Sequence, residues 1–172
     1  MGKTVWLIIV ISCLLFVPIL SFAEEDQQLA GQTSADERSA NPAVEKHENS
    51  IDQAIDSARQ KIEKDPSSFK DRTALGYLLL QKGSLEEAGK VFDEALAING
   101  YYHEAMTGKG IVLARIGKDK EAEELLQNAL KLNPNPVRTY YELGLLYEKR
   151  GDFARANTEY KKGIEKFKQG RK

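Results

Sequence analysis

From residue 51 onward the apolar residues of this chain recur at intervals of three and four. Ile51, Ala54, Ile55, Ala58 and Ile62 make one stripe; Leu75, Leu78 and Leu79 a second; Val91, Phe92, Ala95 and Leu96 a third. That spacing returns side chains to one face of an α-helix, so each stripe predicts an amphipathic helix with a single buried face. The stripes are separated by residues that end helices. Pro66 stands after the first, and Gly83 after the second suits a left-handed C-terminal cap. Ser84-Leu85-Glu86-Glu87 reads as a capping box opening the third.

The pattern then repeats with a period of 34 residues. Gly76, Gly110 and Gly144 share a phase, as do Gly83, Gly117 and Gly151, and Ala88, Ala122 and Ala156. Ala95, Ala129 and Gly163 form another set, and the large residues keep the same rhythm: Leu79, Leu113, Tyr147 and Phe92, Leu126, Tyr160. Pro66 and Pro134 lie two periods apart with Gly100 between them. Each period holds two helical stripes. The third opens its helices with Asn135-Pro136, as cap and first helical residue, and with Asp152, whereas the middle one has Lys118 where a cap is expected. A glycine inside a helix costs about 1 kcal/mol against alanine. Its return at one phase predicts close packing, with Gly76, Gly110 and Gly144 set against Ala88, Ala122 and Ala156. The predicted fold is all-α, with about seven helices: a lone capping helix over residues 47–65, then units over 69–102, 103–136 and 137–170.

The residues Leu75-Gly76, Leu79, Gly83, Ala88, Phe92 and Ala95, repeated as Gly110, Leu113, Gly117, Ala122, Leu126, Ala129 and Pro134, resemble the tetratricopeptide repeat. Tyr140, Leu143-Gly144, Tyr147, Gly151, Ala156 and Tyr160 carry the resemblance into the third unit. The departures are Lys109 for a leucine, Gly100 for a proline, and Arg72 and Met106 at the tryptophan-like position. The resemblance implies a right-handed solenoid of helix-turn-helix units that binds protein or peptide in a concave groove lined by the first helix of each unit. By phase, that lining is Lys70, Thr73 and Tyr77; Glu104, Thr107, Ile111 and Arg115; then Arg138, Tyr141, Leu145, Glu148 and Lys149. Some relatives bind a terminal carboxylate with a basic clamp. The matching positions here are Thr73, Tyr77, Gly108, Arg138 and Glu142, of which only Arg138 agrees. The last second helix is expected to run from Asp152 to about Lys168, with too few residues after it for a capping helix. Tyr160, Ile164 and Phe167 are then expected to form an apolar docking patch among Lys161, Lys162, Lys166, Lys168, Arg171 and Lys172, for a second copy or an acidic partner.

The first 23 residues are of another kind. Lys3 precedes an apolar run from Val5 to Phe16, Pro18 breaks it, and Ser21-Phe22-Ala23 sets small residues before Glu24. This predicts a signal segment cleaved after Ala23. Two alternatives stay open: an uncleaved anchor over Val5 to Ala23, and acylation of Cys13. In each case the domain is exported, into a periplasm-like compartment or tethered facing it. Residues 24–46 hold no aromatic residue and only Leu29 and Val44 as large aliphatics, so they read as a flexible linker reaching about 25 Å.

Composition narrows the function. The net charge is −1, and residues 47–172 hold 22 Lys and Arg against 20 Asp and Glu, which disfavours a nucleic-acid binder. The single cysteine, Cys13, lies in the leader, so no disulfide framework or cysteine metal site is expected. His47 and His103 lack metal-ligand spacing, and Gly108-Lys109-Gly110 lacks the upstream glycine and following hydroxyl of a phosphate loop. No cofactor, metal or catalysis is expected. The reading is an exported adaptor that holds a peptide or helix of a partner and assists assembly of an envelope or secreted complex. The alternative is a structural subunit that self-associates through the ends of its stack.

Overall fold

The computed structural model describes residues 42–171. Over this span the chain is seven α-helices: α1 (Pro42–Lys64), α2 (Phe69–Lys82), α3 (Leu85–Ile98), α4 (His103–Arg115), α5 (Asp119–Leu132), α6 (Val137–Lys149) and α7 (Phe153–Gln169). The fold is the all-α repeat solenoid that the periodicity predicts. The expected leader, and the linker up to residue 41, lie outside the described residues. Helix α1 starts at Pro42 rather than His47, so the end of the expected linker is helical. Proline suits a first helical turn, because its fixed φ is already helical and its missing N–H would have no partner there. Among the described residues, no helix is long and apolar enough to cross a membrane.

Local chemistry sets the ends of the helices. Gly83, Gly117 and Gly151 have φ of 86°, 84° and 75°, the left-handed turn that a side chain resists. In each case the following N–H reaches back to a carbonyl five residues earlier: Ser84 to Leu79, Lys118 to Leu113 and Asp152 to Tyr147, all at 2.9 Å. Asp152 caps α7 by accepting from the Arg155 N–H at 3.0 Å, as expected. Ser84, by contrast, makes no side-chain cap bond, so the predicted capping box is not formed. The Leu85 N–H is taken instead by the Gly83 carbonyl at 2.9 Å. Ser68 is the serine that does cap, accepting from the Asp71 N–H at 3.2 Å at the start of α2. Pro136 sits at the cap position of α6 rather than inside the helix.

The helices pair as α2 with α3, α4 with α5 and α6 with α7, and successive pairs meet through α3 with α4 and α5 with α6. One buried cluster runs from Ile51, Ile55 and Ala58 of α1 through Leu75, Leu79, Phe92 and Ala95 to Ala105, Ile111 and Val112. A second joins Leu113, Leu126, Leu143, Leu146 and Tyr147. The periodic glycines pack closely, but against a different partner from the one expected. A β-carbon at Gly76 would stand 2.6 Å from the Phe92 ring, and one at Gly110 would stand 2.8 Å from Leu126. At Gly144 it would overlap Tyr160. The glycines therefore make room chiefly for the large residue of the second helix, and at Gly110 the expected alanine is close as well, a β-carbon there standing 3.6 Å from the Ala122 carbonyl oxygen. Helix α1 is tied on by Lys82 to Asp52 at 2.5 Å and by Arg59 to Glu87 at 2.7 Å.

Candidate functional site: a central groove and a C-terminal cleft

Helices α2, α4 and α6 stand side by side, since each opens a unit of the stack. Between them lies a groove of about 610 Å³. Four residues of the predicted lining meet here: Tyr77, Ile111, Arg115 and Arg138. Ile111 is buried and forms the floor. The Arg138 guanidinium carbon lies 4.1 Å from the centre of the Tyr77 ring, a cation–π contact across two units. The Tyr77 hydroxyl donates to the Glu104 carbonyl at 2.8 Å, and burial is the main cause pushing its pKa up to about 12. Arg115 is fixed by donating to the Leu80 carbonyl at 3.1 Å.

Glu142 completes the groove and was not among the expected lining residues. It lies 3.9 Å from Arg138. Burial raises its pKa above the ordinary carboxylate value, while Arg138 and Arg115 oppose the shift. Its phase is that of Ala74 and Gly108, so the repeat pattern marks the position as small rather than charged. The only sequence signal was its match to a clamp position. The groove thus offers an apolar floor, an aromatic wall and two guanidiniums about a half-buried carboxyl.

Other expected lining residues lie elsewhere. Thr73 and Thr107 are 3% and 2% exposed, and Thr107 shares a 2.9 Å hydrogen bond with Thr139 of the next unit. Thr107 thus seals first helix to first helix, Thr73 donates to the Phe69 carbonyl of its own helix at 2.8 Å, and neither is open to a ligand. Lys149 donates to the Ala114 carbonyl at 2.8 Å and pairs with Asp119 at 2.9 Å, fastening α6 to the preceding unit. Glu148 accepts from the Tyr160 hydroxyl at 2.7 Å. The Glu104 carboxylate is occupied by the Tyr102 hydroxyl. Lys70 and Leu145 are exposed outside the lining.

Tyr141 belongs to a separate place. With Val137, Tyr160, Gly163, Ile164 and Phe167 it lines an apolar cleft of about 410 Å³ between α6 and α7. The Tyr141 and Tyr160 rings lie 5.7 Å apart. The expected docking residues Tyr160, Ile164 and Phe167 all converge here. Among the described residues no cluster of metal-ligating side chains occurs.

Comparison with known proteins agrees with this architecture. One family model, described as tetratricopeptide repeat, matches residues 46–103, and another, described as TPR repeat, matches residues 110–151. Together they span more than half of the chain. The BBSome complex member BBS4 of Bos taurus is 30% identical over 87 residues, which are 51% of this chain and 17% of that protein. The crystal structure of MamA protein superposes with a TM-score of 0.56 at 26% identity, covering 69% of this chain and 65% of that one. A thermophilic TPR protein of Thermus thermophilus gives a TM-score of 0.62 at 21% identity over 76% of each chain, a likeness of fold alone. The chain spans less than a quarter of the length of the curated relatives it matches.

Proposed function

Because the chain belongs to the tetratricopeptide repeat family, we propose that it is an exported adaptor that grips a peptide or helix of a partner protein in its central groove. The coarser function is that of the family: a protein–protein interaction scaffold, typically without enzymatic activity. The observation that carries the finer reading is the seating of Arg138 on Tyr77 above the Ile111 floor, with Arg115 and Glu142 beside it. An aromatic and an arginine held together in a concavity are the residue types that dominate binding energy at protein interfaces. The groove suits a segment with one apolar anchor and charges of both signs. Export rests on the apolar run from Val5 and the small residues before Glu24, and an envelope or secreted complex is the client this location supplies.

A photo-crosslinking residue in place of Gln81, which lines the groove, tests the reading in the full exported chain. The expected result is an adduct with one partner that disappears on Arg138→Glu while the helical circular dichroism stays unchanged. Adducts of equal yield in the Arg138→Glu protein would remove the groove from consideration. The export reading is checked separately, by N-terminal sequencing that begins at Glu24. A full-length chain resisting carbonate extraction would instead establish the anchor, and palmitate labelling lost on Cys13→Ser the lipoprotein.

A further inference from the structure

The C-terminal cleft has two filled counterparts in the same molecule. Ile164 shares its repeat phase with Leu96 and Leu130, and both of those pack against the buried core. Tyr141 shares its phase with Thr73 and Thr107, which are buried. In the first two units the covering element is the first helix of the next unit, α4 over α3 and α6 over α5. In the third unit Tyr141, Ile164 and Phe167 stand 53%, 54% and 52% exposed. The cleft therefore has the shape of a seat for one amphipathic helix of about 13 residues, the length of α4 and α6.

Charge identifies that helix further. Both filled seats are bridged by acid on the second helix and base on the covering helix. Asp93 of α3 takes Lys109 of α4 at 2.6 Å. Asp119 and Glu123 of α5 take Lys149 and Arg150, which end and follow α6. The third unit lacks all three acids and reverses the charge at one of their positions. The positions of Asp119 and Glu123 become Phe153 and Asn157, and the position of Asp93 becomes Lys161. Lys161 and Lys168 flank Ile164 at three- and four-residue spacing, and the Arg171 guanidinium lies 5.5 Å from the Phe167 ring. A second copy offering α4 in the same way would set Lys109 against Lys161, and one offering α6 would leave Lys149 and Arg150 against Phe153 and Asn157, with no acid to take them.

We propose that this cleft is a second binding site, distinct from the central groove, and that its occupant is an amphipathic helix of a partner protein. That helix carries acidic residues where this chain's own covering helices carry basic ones. The site is open to it without rearrangement, and burying Tyr141, Ile164 and Phe167 supplies the attraction.

The test uses the 172-residue chain and two helix-stapled synthetic peptides. One has the sequence of residues 102–117; the other has the same sequence with Lys109→Glu. Fluorescence anisotropy should show the glutamate peptide binding more tightly, by about threefold to tenfold for one exposed attraction exchanged for a repulsion. Lys161→Glu in the protein should reverse that preference, and Ile164→Glu should abolish binding of both peptides. Circular dichroism of each variant reports that the fold is kept. Equal affinities for the two peptides, or a preference that Lys161→Glu leaves in place, overturn the charge assignment. A wild-type chain that sediments as a dimer, with Ile164→Glu monomeric, overturns the partner helix in favour of a second copy.

Discussion

Phe92 is fully buried between two glycines from different units, Gly76 of α2 and Gly108 of α4. A β-carbon at Gly108 would overlap the ring. Gly108→Ala should therefore destabilise the domain by about 1–2 kcal/mol, overpacking outweighing the gain in helix propensity. Combined with Phe92→Leu, the same change should cost clearly less, because the ring it strikes is gone. Urea unfolding of the four proteins of this cycle is the measurement, and strict additivity would mean that Gly108 and Phe92 do not press on each other. Only half of this contact was legible in the sequence. Gly76 belongs to a periodic set, so its packing role could be read. Gly108 has Ala74 and Glu142 at its phase, and a contact made once leaves no rhythm. The same reasoning covers Glu142 in the groove.

Helices also meet across units through polar groups outside the apolar stripes, among them the hydroxyl of the periodic Tyr147. At the contact of α5 with α6, Glu123 accepts from the Tyr147 hydroxyl at 2.6 Å and pairs with Arg150, and Asp119 pairs with Lys149. The Tyr147 hydrogen bond, ahead of Arg150, holds the Glu123 pKa below the ordinary glutamate value. An acid with a depressed folded pKa adds stability above its unfolded value and loses it as the pH falls through the folded one. Glu123→Gln should thus cost about 1–2 kcal/mol at pH 7. At an acid pH, below the ordinary glutamate value, wild-type Glu123 gains its proton as the pH falls, and the gap between the two proteins should narrow. Urea midpoints at the two pH values check this, and a gap that widens in acid would contradict the assigned direction. At this scale the apolar face of each helix was legible in its stripe of residues, but the neighbour that covers it was not. Thr73 and Thr107 looked like groove residues because their phase matches the groove-lining positions of the family, on the first helices of adjacent units. They are buried because those helices touch there. The start of α1 at Pro42 was missed for another reason: a polar composition argues against a core, not against a helix that extends beyond one.

Across the whole stack, helix packing joins each unit to its neighbours, with the Arg138–Tyr77 contact reaching one unit further, so stability is close to a sum of unit and interface terms. The turns at Gly83, Gly117 and Gly151 share one backbone form, and the space where a side chain would stand is empty at all three. Each turn closes its own hydrogen bonds without help from elsewhere in the chain. Each unit is therefore folded about the same internal joint, and the chain can be lengthened or spliced in steps of 34 residues without any surviving helix changing its rotational setting. Duplicating residues 103–136 should give a folded, longer protein whose unfolding slope in urea rises in proportion to the added surface. A duplication that leaves one residue out of the middle of a helix would turn the rest of that helix by about 100° and present its polar side to the core. That variant should lose cooperative unfolding. Growth by whole copies, with each new copy free to change its exposed charges, is the route of descent such joints permit. The altered charges of the third unit are the mark it would leave.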